Sequence, residues 1–358
     1  MTNNRIRKLR ARMKELSLDA LLVTALPNIR YLTGFSGSNG LAVVTARGAG
    51  FFTDSRYRLQ SAGEVKRFTR RITSRPLFDE AAASKLLQGC AAAGFESDAV
   101  TYAQFRRLRK AFPRLSLRPV AGLVENIAIV KDSAEIALLA RAGKIADAVF
   151  RDLCAAIAPG MTELEVAAEI SWLVRRHGAE RDAFDVIVAS GARGALPHAR
   201  PTRKKLRSGE FVTIDFGATV RGYCSDMART IAIGRPPARL RAAYAAVQEA
   251  HGAALRAAKA GMRASELDAV ARTRIAAHRL GKYFTHSLGH GLGLRVHERP
   301  RVSALSNEIL RAGSVITIEP GVYIPGVGGV RIEDAVVLGG RTSRLLTSSP
   351  RELLTLPA

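Results

Sequence analysis

FVTIDFGATVRGYCSDMAR, running from Phe211 to Arg229, is the stretch whose reading decides the fold. Apolar and polar residues alternate through Phe211 to Asp215 as in a half-buried strand. Gly217 marks a turn, and a second strand-like run leads to Asp226. Carboxylates among so many strand formers are unusual, because one taken out of water must be paired, hydrogen-bonded or bound to a metal. Taken alone, the stretch is equally well explained by two acids at solvated strand ends.

The chain repeats itself, and that changes the balance. Ser208 to Gly217 reads SGEFVTIDFG and Ala312 to Gly321 reads AGSVITIEPG, so Glu319 stands where Asp215 stood, 104 positions on. Upstream, Gly160-Met161-Thr162-Glu163-Leu164 is echoed by Gly261-Met262-Arg263-Ala264-Ser265-Glu266-Leu267. An Ala-rich segment expected to be a long helix precedes each copy, Ser133 to Ala158 and Ala238 to Ala260. A second acid follows each, Asp226 in one and Glu333 in the other. The pattern predicts an internal duplication, two helix-helix-strand halves facing each other with four carboxylates converging on the seam.

A chain of 358 residues has room for two domains with separate cores. Its 47% hydrophobic content fits a globular protein rather than a disordered one. No apolar run approaches the roughly 18 residues a membrane helix needs. The basic amphipathic segment Arg5 to Lys14 and the short apolar run after it, which carries Asp19, argue against a secretory signal. Cys90, Cys154 and Cys224 form no CxxC pair and read as buried thiols in a reducing compartment, so a cytoplasmic location is expected. The net charge of +24 is spread over the whole chain, with local clusters at Arg5 to Lys14, Arg106 to Arg114 and Arg203 to Arg207. Such clusters could hold nucleic acid, but with only 6% aromatic residues to stack on bases a solvated basic surface is the favoured reading.

Residues 1–130 alternate helix and strand signals. A helix is expected at Asn4 to Ser17 and strands at Ala20 to Thr24, Leu41 to Thr45 and Phe51 to Asp54. A turn is expected at Asn28 to Gly34, a helix from about Ser55, and strand-like pieces at Phe95 to Gln104 and Leu115 to Val120. The SGSNG run, Ser36 to Gly40, has no G-x-G-x-x-G or Walker context and reads as a plain turn. These pieces make a small α/β domain, 1–130, that hands over near Ile127 to Asp132 to the duplicated domain, 131–358.

Four of the 7 histidines, His198, His286, His290 and His297, fall on loop-like segments rich in Gly and Pro. His177, His251 and His278 sit on expected helices beside charged residues and read as surface groups. Four carboxylates with His290 make a hard, oxygen-rich set, suited to Mn²⁺, Co²⁺, Fe²⁺ or Zn²⁺ sharing carboxylates, not to a structural zinc site. Two such ions about 3.5 Å apart would lower the pKa of a bridging water and clamp a tetrahedral intermediate, so metal-assisted hydrolysis is the predicted reaction class. His198 and His297 would then hydrogen-bond the scissile group and shuttle protons. There is no G-x-S-x-G for a serine nucleophile.

These residues resemble the aminopeptidase P, prolidase and creatinase group, the two-domain branch of the pita-bread metallopeptidases. The resemblance runs through YLTGFSGSNG (Tyr31 to Gly40), LPHARPT (Leu196 to Thr202), VTIDFGATVRGYCSDMART (Val212 to Thr230) and HSLGHGLGLRVHERP (His286 to Pro300). It continues through ITIEPGVYIPGVGGVRIED (Ile316 to Asp334) and the tail SSPRELLTL. It implies an α/β (α+β) fold, a small creatinase-like domain before a pita-bread domain with an internal pseudo-twofold. It also implies two divalent metal ions per subunit, Mn²⁺ first, with Co²⁺, Zn²⁺ or Fe²⁺ as alternatives. Asp215 would chelate one ion, Asp226 and Glu333 would bridge both, and His290 and Glu319 would complete the other. Glu319 would also take the proton from the attacking water. His198 and His297 would bind substrate and steady the intermediate, His286 would line the proline side, and Arg331 would orient the carboxylates from outside.

No ligand is missing, which disfavours the metal-free creatinase branch. The activity implied first is that of an Xaa-Pro aminopeptidase acting on peptides with proline second. The alternative is a prolidase restricted to dipeptides. A methionine aminopeptidase ranks low, because that group lacks this kind of N-terminal domain. A homodimer away from the membrane is expected. The rival from another class is a basic polyanion-binding protein with a secondary metal site.

Overall fold

The computed structural model describes residues 2–358 and divides into two units, Met1–Ala128 and Ile129–Ala358. The first is built on a six-stranded mixed sheet in the order Thr69–Ile72, Ala49–Thr53, Leu41–Thr45, Ala20–Val23, Ala92–Glu96, Ser116–Val120. The inner strands are buried runs such as Ala20–Val23 (ALLV) and Leu41–Thr45 (LAVVT), as expected where helices cover the sheet. The two edge strands are mostly exposed and carry Arg70 and Arg71 on one side and Arg118 and Pro119 on the other. Charges and proline at an edge discourage pairing with another chain.

Two sequence expectations in this unit fail for local reasons. The turn expected at Asn28 to Gly34 is part of a helix, Leu26–Thr33. Pro27 in its first turn has no donor to lose there, and Gly34 ends it at φ 86°, a left-handed conformation that costs glycine little. The strand expected at Phe95 to Gln104 stops at Glu96, and a helix, Tyr102–Ala111, begins within its span. Thr101 and Gln104 start that helix reciprocally, Gln104 N–H donating to Thr101 Oγ1 at 3.2 Å and Thr101 N–H to Gln104 Oε1 at 2.8 Å.

The second unit holds the duplication. Its first half packs helices Ser133–Ala156 and Glu163–Arg176 against strands Ile187–Ser190, Phe211–Phe216 and Met227–Ile233. Its second half packs helices Ala238–Ala257 and Ala264–Ala277 against a sheet containing Gly289–Gly291, Val315–Ile318 and Asp334–Leu338. Each half has its own apolar core, one around Val166, Ile170 and Ile214, the other around Leu267, Ala271 and Ile316. At about 1.5–3 kcal/mol for each large aliphatic side chain buried, these cores hold the helices to the sheets.

Backbone details recur between the halves. Gly160 and Gly261 both lie at φ 90°, and Gly209 and Gly313 at 83° and 82°. Isolated bridges Thr162↔Lys205 and Arg263↔Ile309 occupy matching places. Glu165 and Glu266 cap the second helix of each half, accepting from Thr162 N–H at 2.6 Å and Arg263 N–H at 2.9 Å. The helices therefore match Glu165 with Glu266, not Glu163 as the quoted sequence echo suggested. No helix of the described residues is long and apolar enough to cross a membrane.

Candidate active site

Asp215 lies near the end of strand Phe211–Phe216, opposite Ala228. Asp226 ends the turn that returns the chain into Met227–Ile233. That turn is tight because Gly217 rests on the Ser225 carbonyl, where a Cβ would come within 1.9 Å of the oxygen. In the other half Glu319 follows Val315–Ile318 and Glu333 precedes Asp334–Leu338. The Glu333 N–H donates to Ala228 O at 3.0 Å, which stitches the halves together beside the acids.

His290 is not on a loop as expected but in the short strand Gly289–Gly291, with a register shift between His290 and Gly291. Such a bulge re-aims a side chain. Its Nδ1 lies 3.0 Å from the Gly291 carbonyl, leaving Nε2 to face Asp226 Oδ2 at 3.5 Å and Glu319 Oε1 at 3.4 Å. The His297 ring sits edge-on to it, centroids 4.4 Å apart.

Asp226, His290 and Glu333 each offer a donor atom, all within 4.8 Å of one another. Asp215 Oδ1 and Glu333 Oε1 are buried without a hydrogen-bond partner, while Asp215 Oδ2 accepts from Arg331 at 2.6 Å. Burial, then the neighbouring carboxylates, push Asp226 and Glu333 well above the usual carboxylate range. Burial lifts Glu319 to about 8 and lifts Asp215 despite the Arg331 charge. Burial also drives His290 and His286 down to about 4, leaving neutral imidazoles. Carboxylates crowded in this way with bare oxygens fit a divalent cation, whose charge reverses the penalty on ionisation. The donor set of carboxylate oxygens and one imidazole nitrogen is right for it.

One cleft of about 550 Å³ is lined by all nine residues expected at the site: His198, Asp215, Asp226, His286, His290, His297, Glu319, Arg331 and Glu333. Arg331 holds more than Asp215. It also donates to Tyr323 Oη at 2.8 Å and to the Pro197 carbonyl at 2.9 Å, next to His198. Sequence reasoning missed Tyr323, whose Oη lies 2.9 Å from His286 Nε2, and nothing in GVYIPGVGG marks that phenol. It also missed Arg301, which lines the cleft from strand Glu298–Val302. The signal was one residue beyond the quoted motif, the cation after HERP. Among the described residues the Arg301 guanidinium has no ion-pair partner. Phe184 and Ile187 supply an apolar wall.

His251 corrects the surface reading given to three histidines. It is buried, with Nε2 3.2 Å from Asp334 Oδ2, and Asp334 also binds Arg229 at 2.8 Å, Arg351 at 2.7 Å and Thr347 at 2.7 Å. Burial alone would raise Asp334, but Arg229, His251 and Arg351 together hold it well below the usual carboxylate range. This knot pins the C-terminal tail one residue from Glu333. His177 and His278 do sit at helix ends, each 2.8 Å from a carboxylate, Asp152 and Glu249. Of the cysteines, all free, Cys224 is buried but Cys90 and Cys154 are only half-buried.

Residues 137–339 match metallopeptidase family M24, and residues 5–130 match the creatinase/prolidase N-terminal domain. The chain belongs to metallopeptidase family M24. This M24 chain is 43% identical over 352 residues to the uncharacterized peptidase YqhT of Bacillus subtilis, covering 98% of this chain and 100% of that one. It is 38% identical over 357 residues to the Xaa-Pro dipeptidase of Pyrococcus horikoshii, covering 98% and 99%. The solved Xaa-Pro dipeptidase from Bacillus anthracis superposes with a TM-score of 0.97 at 38% identity, covering 99% of the M24 chain and 100% of its own.

Proposed function

We propose that this M24 metallopeptidase is an Xaa-Pro dipeptidase, and the observation that carries the reading is Arg301. A dipeptide ends in a carboxylate one residue beyond the scissile bond. An unpaired guanidinium on the wall of the same cleft as the acids and histidines suits that group. A longer peptide offers a neutral amide there. The sequence favoured an aminopeptidase, but relatives named as Xaa-Pro dipeptidases, together with Arg301, move the weight to the alternative.

In this reading Asp215, Asp226, His290, Glu319 and Glu333 hold two divalent ions, Mn²⁺ first. When bound, the ions acidify water and polarise the scissile carbonyl. The protein's own groups do the rest. Glu319, beside His290 Nε2, receives the proton from the attacking water and passes it towards the leaving nitrogen. His198 and His297 donate to the carbonyl oxygen as it gains charge. His286, fixed against Tyr323 Oη, flanks the proline ring with Phe184 and Ile187. Arg331 favours the ionised form of Asp215 against the cost of burial and holds its carboxylate in place.

The test uses metal-stripped protein refilled with Mn²⁺, Co²⁺ or Zn²⁺ and offered an Xaa-Pro dipeptide, an Xaa-Pro-Xaa tripeptide and a Met-Ala-Xaa peptide. Cleavage of the dipeptide alone is expected. Arg301→Ala raises KM for the dipeptide about 10- to 100-fold, the loss of one charged hydrogen-bonded contact. Equal cleavage of dipeptide and tripeptide would return the weight to the aminopeptidase reading.

A further inference from the structure

Apart from Asp334 in its knot of arginines, two carboxylates outside the cleft, Glu163 and Asp268, are fully buried at 0% exposure and take no part in the proposed chemistry. A charge so placed is costly unless its oxygens are well bonded. Glu163 opens helix Glu163–Arg176. Its Oε1 accepts from Ser190 N–H at 2.8 Å and the Ser190 hydroxyl at 3.0 Å. Its Oε2 accepts from Thr202 N–H at 3.0 Å and the Thr202 hydroxyl at 2.7 Å. Ser190 and Thr202 flank the segment that carries His198. Arg193 completes the clip, 3.0 Å from Glu163 Oε2 through Nε and 2.6 Å from the Arg200 carbonyl through its terminal nitrogen.

Asp268 serves the second half in the same way. Leu288 N–H donates to its Oδ1 at 3.0 Å, and Arg272 donates to both oxygens at 2.8 and 3.0 Å. Arg272 also donates to the carbonyls of Phe284 at 3.0 Å and His286 at 2.9 Å. In both halves a buried acid and an arginine hold a histidine-bearing segment.

The duplicated framework demands neither acid. In the register set by the caps Thr162 and Arg263, the mate of Glu163 is Ala264 and the mate of Asp268 is Ala167. One half places its acid at the start of its second helix, the other about one turn later. Each acid occurs where its own histidine segment passes.

We propose that Glu163 and Asp268 are positioning residues that fix where His198 and His286 stand in the cleft. The proposal rests on the peptidase reading of that cleft. Neither histidine belongs to a strand, so bonds of this kind must remove the conformational freedom of its segment. In the metal-loaded full chain Glu163→Ala lowers kcat/KM on an Xaa-Pro dipeptide by about 100-fold, the cost of an ångström-scale misplacement, with metal content unchanged.

Coupling decides the matter. Added to His198→Ala, Glu163→Ala changes kcat/KM by less than about twofold if it acts through His198. Asp268→Ala added to His286→Ala does the same. Fully multiplicative losses would overturn the proposal in favour of a general structural role. Thr202→Val deletes one donor and keeps the carboxylate; it gives a smaller loss in the same direction and serves if Glu163→Ala does not fold. Amide hydrogen exchange separates this proposal from the dipeptidase reading. Residues 191–201 exchange faster in Glu163→Ala and in Thr202→Val than in the wild type, while 211–216 do not. Should the wild type cleave no Xaa-Pro peptide, the dipeptidase reading falls and exchange still decides the clip, with unchanged protection overturning it.

Discussion

At the residue scale the site is a set of carboxylates buried close together, and the cost of ionising them there is measurable. Glu319, lifted to about 8 by burial, binds a proton in the folded metal-free protein over a range where the unfolded chain does not. A raised carboxyl contributes stability below its unfolded pKa of about 4.3, lost as pH rises through the folded value. His290 and His286, lowered to about 4, act the opposite way, but only below the ordinary histidine pKa of about 6.5. Between about pH 6.5 and 8 the carboxyl effect therefore stands alone. Metal-stripped protein should lose melting temperature as pH climbs through that window, and Mn²⁺ should abolish the decline. A flat or rising curve without metal would contradict the burial described. Glu333→Gln should make the stripped protein no less stable while removing metal and activity, read by metal analysis and calorimetry. Full metal content in that variant would remove Glu333 from the ligands.

At the element scale the strands carry the acids because glycines let backbones touch. Gly289 lies against the Thr317 carbonyl, where a Cβ would sit 2.0 Å from the oxygen. Backbone cannot move aside as a flexible side chain can. Gly289→Ala should therefore cost about 1–3 kcal/mol in denaturant unfolding and weaken metal binding through the displaced His290. An unchanged midpoint with full metal affinity would show that the strand yields freely. The same scale explains the failed local expectations. The helix Leu26–Thr33 was hidden because Pro27 and Gly34 read as breakers, although one suits a helix start and the other its end. His251 looked like a surface group because its neighbours in sequence are mostly small or polar. Its burial depends on Asp334 and the tail, brought to it only by folding.

At the scale of the whole molecule the charge of +24 is the property the peptidase reading does not use. Bound to nucleic acid through phosphates alone, the protein should lose about 10³-fold or more in affinity between 50 and 200 mM salt. Fluorescence anisotropy with a labelled duplex measures this, and binding that survives the higher salt would revive the rival reading.

The sequence by itself determined the duplication, because strand alternation and the matched acids Asp215 and Glu319 are local patterns that survive without coordinates. It also brought into view, through motifs that resemble a family, nine residues that line one cleft. Only the tertiary structure decided what those residues touch. Arg301 facing the cleft, Tyr323 against His286, and Glu163 and Asp268 holding the histidine segments are contacts between residues far apart in the chain. Periodicity reports which face of a strand or helix is buried. It carries no information about which distant group will meet that face, since packing and hydrogen-bond geometry fix that only once the halves close.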